Sequence, residues 1–520
     1  MFPRVGEERA MMAEAKEWRL DGSERFPGTT YAEVVLGPAF EQAKAELLEP
    51  MLAVNKAHLI MLREEGLLGE DEANRIAAAL TVVPVARIRA EAYTGAFEDL
   101  FFRVEHELTE LAGEAAGNLH LGRSRNDMGI AIYRLALREK LLKTISSALF
   151  LRQELLRFAE SHADTLMIGY THTQQAQPTT LGHYIAAVAD SLDRDIKRLQ
   201  AAYSGCNRSS MGAAALTTSG FTINRQRMAE LLGFDGVIVN AYDAVSGADY
   251  IGEAASAVQL AAVNTGRFVQ ELLLWSTQEF AVLRVAAPYV QISSIMPQKR
   301  NPVSIEHMRS LLSSAFGDAQ TVLTMTHNTP FGDIVDTEDD MQPYAWKALA
   351  TLGSVYKLLA NVIATLEINK DVLRIRAEES FATVTELADT LVREERLSFR
   401  TAHNIVSRTV RNVLEFGGTV RHISLRLLDE AALAVIGRQL TLGEEKLRRA
   451  LDPQHFIEVR ALQGGPNPDE VRRAIGEQRQ TLHERQEWLE AAYSSARSAQ
   501  QLVERTVEGW AHQFVQTEGA

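Results

Sequence analysis

A serine pair, a Met-Pro step, a lysine and an Asn-Pro step follow one another between Gln291 and Glu306, in the stretch QISSIMPQKRNPVSIE. Ser293 is the candidate base. A free serine is far too weak an acid to deprotonate readily, so strong local help is required. Lys299 and a helix N-terminus would supply it in a closed, dehydrated loop. Asn301 reads as an N-cap with Pro302 at the first helical position. Ile305, Met308, Leu311 and Leu312 then recur at helical spacing. The pattern predicts a Ser-rich loop that delivers Lys299 and Asn301 to a helix start, where dipole and N–H groups favour an anion. That geometry suits a carboxylate held beside a serine. An ordinary loop before a helix explains any one of these residues, but not all of them at this spacing. No Gly-X-Ser-X-Gly elbow surrounds Ser293, which argues against acyl transfer.

Two further polar clusters interrupt the chain. Gly122-Arg123-Ser124-Arg125-Asn126 places a hydroxyl, a guanidinium and a carboxamide side by side after a glycine that permits a tight turn. Guanidinium forks pair bidentately with carboxylates, and Ser and Asn add directional donors. Taken alone, such a cluster is more often a basic surface turn. The second, Gly169-Tyr170-Thr171-His172-Thr173-Gln174, lies between long helical stretches. A lone histidine there is more often structural, but Glu306, one turn beyond Asn301, could orient a histidine facing it and hold its proton. Neither His-Glu-X-X-His nor Cys/His spacing supports a metal. No cofactor is expected.

The elements that must position these clusters are mainly helices. Long Ala- and Leu-rich stretches with apolar residues at helical spacing cover about 129–163, 180–204 and 247–282, and helices resume at about 302–328 and 341–367. Helices of this length bundle, with each other or with copies from another subunit. Pro50 should break the helical run from Pro38 to Leu67. Residues 1–30 read as a mobile polar arm. Strand-like alternation is scarce, with Gly236-Val237-Ile238-Val239 the best case. Residues 469–510 read as a charged helix of thin apolar content, at a surface or an interface. The expected domains are 1–124, helical; 125–367, the long-helix bundle with the Ser293 loop; and 368–520, helical.

Composition narrows the function. A net charge of −14 argues against a nucleic-acid partner, which would need a basic face. No apolar run of membrane-spanning length is present, and the first residues lack the apolar core of a secretory signal. Cys206 is the only cysteine, so intrachain disulfides and Cys-based metal sites are excluded and a reducing cytoplasm is the natural compartment.

SSIMPQKRNP matches the signature of the aspartase/fumarase superfamily of fumarate-forming lyases, and GRSRND, GYTHTQQAQP and EDLFFRVEHELTELAGEAAGNLH resemble its argininosuccinate lyase branch. The similarity runs from roughly residue 35 to 475. The resemblance implies an all-α homotetramer with a 20-helix core and active sites shared between three subunits. It also implies reversible anti elimination that releases fumarate from an aspartyl group. Ser293 then resembles the base, and Lys299 and Asn301 the ligands of the carboxylate and its doubly charged aci form. Ser124, Arg125, Asn126, Thr171, Ser294 and Met296 look like the remaining substrate contacts. His172 with Glu306 behind it is similar to the family's proton-handling pair.

The departures are confined to the other half of the substrate. Argininosuccinate lyases carry a Tyr, a Gln and a Lys in a loop that here reads PFGDIVDTEDD, with Phe331, Asp336 and Asp339 near those places. The Arg of a Ser-Asp-Arg-Asp motif is absent from Ser246-Gly247-Ala248-Asp249, and Phe101 stands where a His is usual. An Asn-Ala-Ser-Ile segment near the N-terminus is missing. The expectation is a carbon–nitrogen lyase acting on an N-substituted aspartate whose amine is not arginine, the ethylenediamine-disuccinate (EDDS) lyase type fitting best. The acidic segment could recognise a cationic amine. The alternatives are argininosuccinate lyase itself and a catalytically silent, crystallin-like structural protein.

Overall fold

The computed structural model describes residues 25–518, so the arm read from residues 1–30 lies outside the described residues up to residue 24. From Thr29 the chain is already helical. The helical run interrupted by Pro50 does break: a helix over Gly37–Glu46 ends at Leu47, and α1 (Leu48–Glu64) restarts with Pro50 in its first turn. Helices α2 (Glu70–Val82) and α3 (Leu100–Ala112) complete this region.

The body of the molecule is a bundle of five long helices: α4 (Arg125–Ser161), α5 (Leu181–Cys206), α6 (Asp249–Trp275), α7 (Val303–Thr326) and α8 (Gln342–Ala364). Their Ala and Leu content gives high helix propensity together with a close-packing face. Contacts fix the directions. Tyr184 meets Trp275, and Gly205 lies against Glu253, so α5 and α6 run antiparallel. Gln259 bonds Gln320 and Arg309 bonds Gln270, so α7 runs against α6. Thr144 donates to the Leu349 carbonyl and Tyr133 to Asp339, so α8 runs alongside α4.

The class is all-α, as expected, with three small ladders among the described residues. The largest pairs β1 (Leu166–Thr171) with β2 (Gln174–Thr180) between α4 and α5. This hairpin was not legible in the sequence, because Gln-Gln-Ala-Gln-Pro-Thr-Thr carries no apolar alternation. Its root is tight: a Cβ on Gly182 would lie 2.4 Å from the Ala159 carbonyl oxygen. The strand expected at Gly236–Val239 is reduced to a single bridge between Ser209 and Val237.

Two main apolar cores hold the chain, with two minor clusters beside them among the described residues. The large one runs through α1–α8, and the smaller one gathers Leu387, Leu391, Ile405, Leu428 and Leu447 in the C-terminal region. The final helix, α12 (Pro468–Glu518), is mostly exposed, as its charge pattern implies, and is seated on the body along one face. Val471, Ile475, Leu482, Leu489, Val503 and Val507 form one narrow buried stripe packed against α2 and α4. Three other helices used below are α9 (Val384–Glu395), α10 (Glu444–Ala450) and α11 (Pro453–Glu458).

Candidate active site

The Ser293 loop is a short hairpin. β3 (Gln291–Ile292) pairs with β4 (Arg300–Asn301), placing Gln291 opposite Asn301. Arg300 donates to the Val285 carbonyl and Ser304 to the Tyr289 carbonyl, fixing the base of the hairpin. The expected Asn301 cap is not formed: Asn301 is committed to the strand pair, Pro302 occupies the cap position of α7, and no side chain caps the helix. Within the loop, Ser293 Oγ accepts the Met296 N–H at 3.1 Å and the Ile295 N–H at 3.4 Å. Two donors aimed at one hydroxyl oxygen favour negative charge on it, the preorganisation a serine base requires. Ser294, Met296 and Lys299 are exposed on the same loop, and Glu306 is exposed one turn into α7.

The second cluster sits at the start of α4. Ser124 is the N-cap, and its N–H donates to Asp127 in a capping box. Asp127 is fully buried and also accepts the N–H groups of Gly212 (2.7 Å) and Ala214 (3.0 Å). Burial pushes its carboxyl up to about 6 despite these donors. Gly122 holds φ at +68°, and a Cβ there would meet Ile223 at 2.6 Å, so this turn requires glycine. Beneath the turn lie three basic groups. His58 donates to the Leu121 carbonyl, and Arg123 donates to His120, whose Nε2 meets Glu105 at 3.2 Å. Burial and the Arg123 charge hold His58 well below the usual histidine range and His120 at about 4.

The same cluster reaches outward to the acidic segment. Ser124 Oγ donates to the Asn126 carbonyl oxygen, which turns the Asn126 amide toward Asp333, and the two hydrogen-bond. Tyr133, buried on α4, donates to Asp339. Burial, reinforced by Asp333, pushes the Glu338 carboxyl well above its usual range, and desolvation raises Asp339 as well. Phe331 stacks on Tyr242 at 6.1 Å. Arg125 pairs with Asp99 at 3.0 Å and lies over the Phe102 ring at 4.8 Å. Of these partners, Asp127 had a sequence signal in the Ser-X-X-Asp cap pattern. Asp99, Tyr133 and Glu338 had none, being joined to the cluster only by the fold.

Thr171 and His172 stand at the exposed tip of the β1–β2 hairpin, where His172 (φ 51°) and Thr173 (φ 61°) both adopt left-handed backbone. Among the described residues the His172 imidazole forms no hydrogen bond or ion pair, with Glu306 or any other group. Within one chain, then, the sequence-predicted residues fall into separate groups. The Ser124–Asn126 cluster and the Asp333 loop lie at the start of α4 and the end of α7. The Ser293 loop lies at the start of α7, and the His172 hairpin follows the end of α4. Helices α7 and α4, of 24 and 37 residues, separate these ends by about 36 and 55 Å at 1.5 Å per residue.

A lyase family model matches residues 44–317, and a model of the argininosuccinate lyase C-terminal region matches residues 381–458. Argininosuccinate lyase 2 of Agrobacterium fabrum is 40% identical over 470 residues, spanning 89% of this chain and 92% of that protein. Argininosuccinate lyase 1 of Shouchella clausii is 34% identical, over 92% of this chain and 96% of its own length. Among solved structures, EDDS lyase in complex with formate superposes with a TM-score of 0.84 at 31% identity, covering 92% of this chain and 97% of that one. The signature loop, the helical bundle and these likenesses agree: the chain is a carbon–nitrogen lyase of the aspartase/fumarase superfamily and belongs to its argininosuccinate lyase-like branch.

Proposed function

We propose that the enzyme splits an N-substituted aspartate into fumarate and an amine other than arginine, an aminopolycarboxylic acid of the EDDS kind being the nearest model. Ser293 removes a proton from the aspartyl Cβ. The electron pair moves toward the adjacent carboxylate, giving a doubly charged aci form that Lys299 and Asn301 stabilise. Collapse of that form expels the amine from Cα, on the face opposite the lost proton, and leaves the fumarate double bond. His172, oriented by Glu306, handles the proton that the departing nitrogen needs. Ser124, Arg125, Asn126, Thr171, Ser294 and Met296 hold the substrate. Donors that meet charge only as it develops supply most of the acceleration.

The helix lengths between the Ser124 cluster and the other two groups support a site assembled from several copies, with one copy bringing the Ser124 cluster and others the Ser293 loop and the His172 hairpin. The observation that carries the choice of amine is the packing of Asp333, Glu338 and Asp339 against Asn126 and Tyr133. A cationic nitrogen placed beside Asp333 would relieve the burial and repulsion that push the Glu338 and Asp339 carboxyls up, so the cluster favours a cation in the amine half. A second reading, argininosuccinate lyase, is favoured by the 40% identity to such an enzyme, and a guanidinium would also suit carboxylates. Purified enzyme incubated with EDDS, simpler N-substituted aspartates and argininosuccinate, with fumarate followed by ultraviolet absorbance, separates the two. Turnover of EDDS or its simpler analogues is expected. Efficient release from argininosuccinate alone would establish the second reading instead, and no release from any substrate would point to the silent structural protein.

A further inference from the structure

A cleft of about 600 Å³ opens in the C-terminal region, between α9 and the α10–α11 pair, and the elimination chemistry makes no use of it. Its floor is Glu386, whose side chain is 2% exposed and whose two oxygens accept from Arg393 and Arg460. Arg460 is further held by the Phe456 carbonyl at 2.9 Å and lies 3.3 Å from the centre of the Phe456 ring. Arg393 also donates to Thr390. Both guanidinium groups are thus fixed in place, with donors left over.

The charge balance of the cleft reverses that of the whole molecule. Arg393, Lys446, Arg449 and Arg460 face only the carboxylates of Glu386, Asp389 and Glu394, in a chain whose net charge is −14. Lys446 pairs with Glu394, and Asp389 lies 3.9 Å from Arg460. Arg449 has no carboxylate partner among the described residues. Its Nε donates to His455 Nδ1 at 3.3 Å, which pins the guanidinium while leaving both terminal amino groups uncommitted. Guanidinium groups already ordered by their neighbours lose little freedom on taking up an oxyanion, and their paired N–H groups match adjacent oxygens. The volume lies within the usual range for small-molecule sites.

We propose that this cleft is a second binding site, separate from the elimination site, for a small dianion of the phosphate or dicarboxylate type. It lies beside the His172 hairpin: Gln177 of β2 donates to Thr385, next to Glu386, and α11 packs against β2.

The test is titration calorimetry on the full-length protein with inorganic phosphate and, separately, with succinate, using the native chain and a Lys446→Gln/Arg449→Gln double variant. Both substituted side chains are exposed and leave the Glu386 clamp intact, and a thermal melt confirms folding. Saturable binding of at least one anion is expected, weakened ~10-fold or more in the double variant, the loss of one or two charge-assisted hydrogen bonds. Slowed amide exchange over residues 384–395 and 446–460 on anion addition is expected to place the ligand. Phosphate binding alone would identify an oxyanion of that type, and succinate binding alone a dicarboxylate. Absence of binding by both anions would overturn the proposal, as would binding that the double variant leaves unchanged.

Discussion

The side-chain amide of Asn126 donates a hydrogen bond to the carboxylate of Asp333, joining the start of α4 to the loop between α7 and α8. On the proposed reading, Asn126 touches substrate and Asp333 supplies charge beside it. Replacing Asp333 with Asn keeps a partner for the Asn126 amide while removing the charge. Michaelis kinetics on the preferred N-substituted aspartate should show KM raised ~10-fold with kcat changed less, the pattern of a lost ground-state contact. An unchanged KM would place the amine elsewhere.

Substitutions in the Ser293 loop should act on the chemical step. Ser293→Ala is expected to lower kcat by ~10³-fold or more with an unchanged melting temperature, since the loop is exposed and its N–H donors remain. Lys299→Met should cut kcat by ~10²-fold or more, because its charge matters most to the dianionic intermediate. Stopped fumarate assays and thermal melts measure both. A normal kcat with only KM raised would contradict the role given to Lys299.

If the site is built from several copies, two inactive variants should rescue each other. Ser293→Ala and Asn126→Ala proteins, each nearly inactive alone, are to be mixed, dissociated and reassembled. Some of the resulting sites would carry both native residues, so activity should return to a sizeable fraction of the native level. No recovery after demonstrated subunit exchange would show that each chain completes its own site.

Buried His58 and half-buried His120 set a pH dependence of stability. His58 and His120 both have folded-state values below the ordinary 6.5, so their contribution is fully present above about 6.5. It is lost as pH falls toward about 4, where the unfolded chain binds protons that the folded chain refuses. Asp127 works in the opposite sense: its value is raised to about 6, so its contribution declines as pH rises from 3.8 through that value. Melting curves between pH 4 and 7 should therefore show a smaller acid-side loss in His120→Gln than in the native protein. Equal slopes would remove His120 from this account.

Much of the candidate site could be proposed from the sequence because its residues are contiguous. Ser293, Lys299 and Asn301 lie on one loop, and Ser124, Arg125 and Asn126 on one turn, so type and spacing were enough to group them. The long helices were legible through their Ala- and Leu-rich apolar periodicity. What could not be read depended on backbone pairing or on distant partners. The β1–β2 hairpin carries no alternation, and Asn301 gave up its cap to a cross-strand partner. Tyr133 meets Asp339 across a separation of 206 residues that no local pattern encodes. The α12 stripe was missed because a few well-spaced apolar residues among many charges are enough to seat a helix along one face.

The length of α7 has a practical consequence for altering this enzyme. The segment proposed to select the amine and the segment proposed to break the bond lie a full helix apart within one chain and meet only in the assembled site, so changes in the two should add in their effect on the folding of that chain. A combinatorial library over residues 331–340 would sample new amine partners while leaving the Ser293 loop, and with it the fumarate-forming step, as the fixed part of the selection.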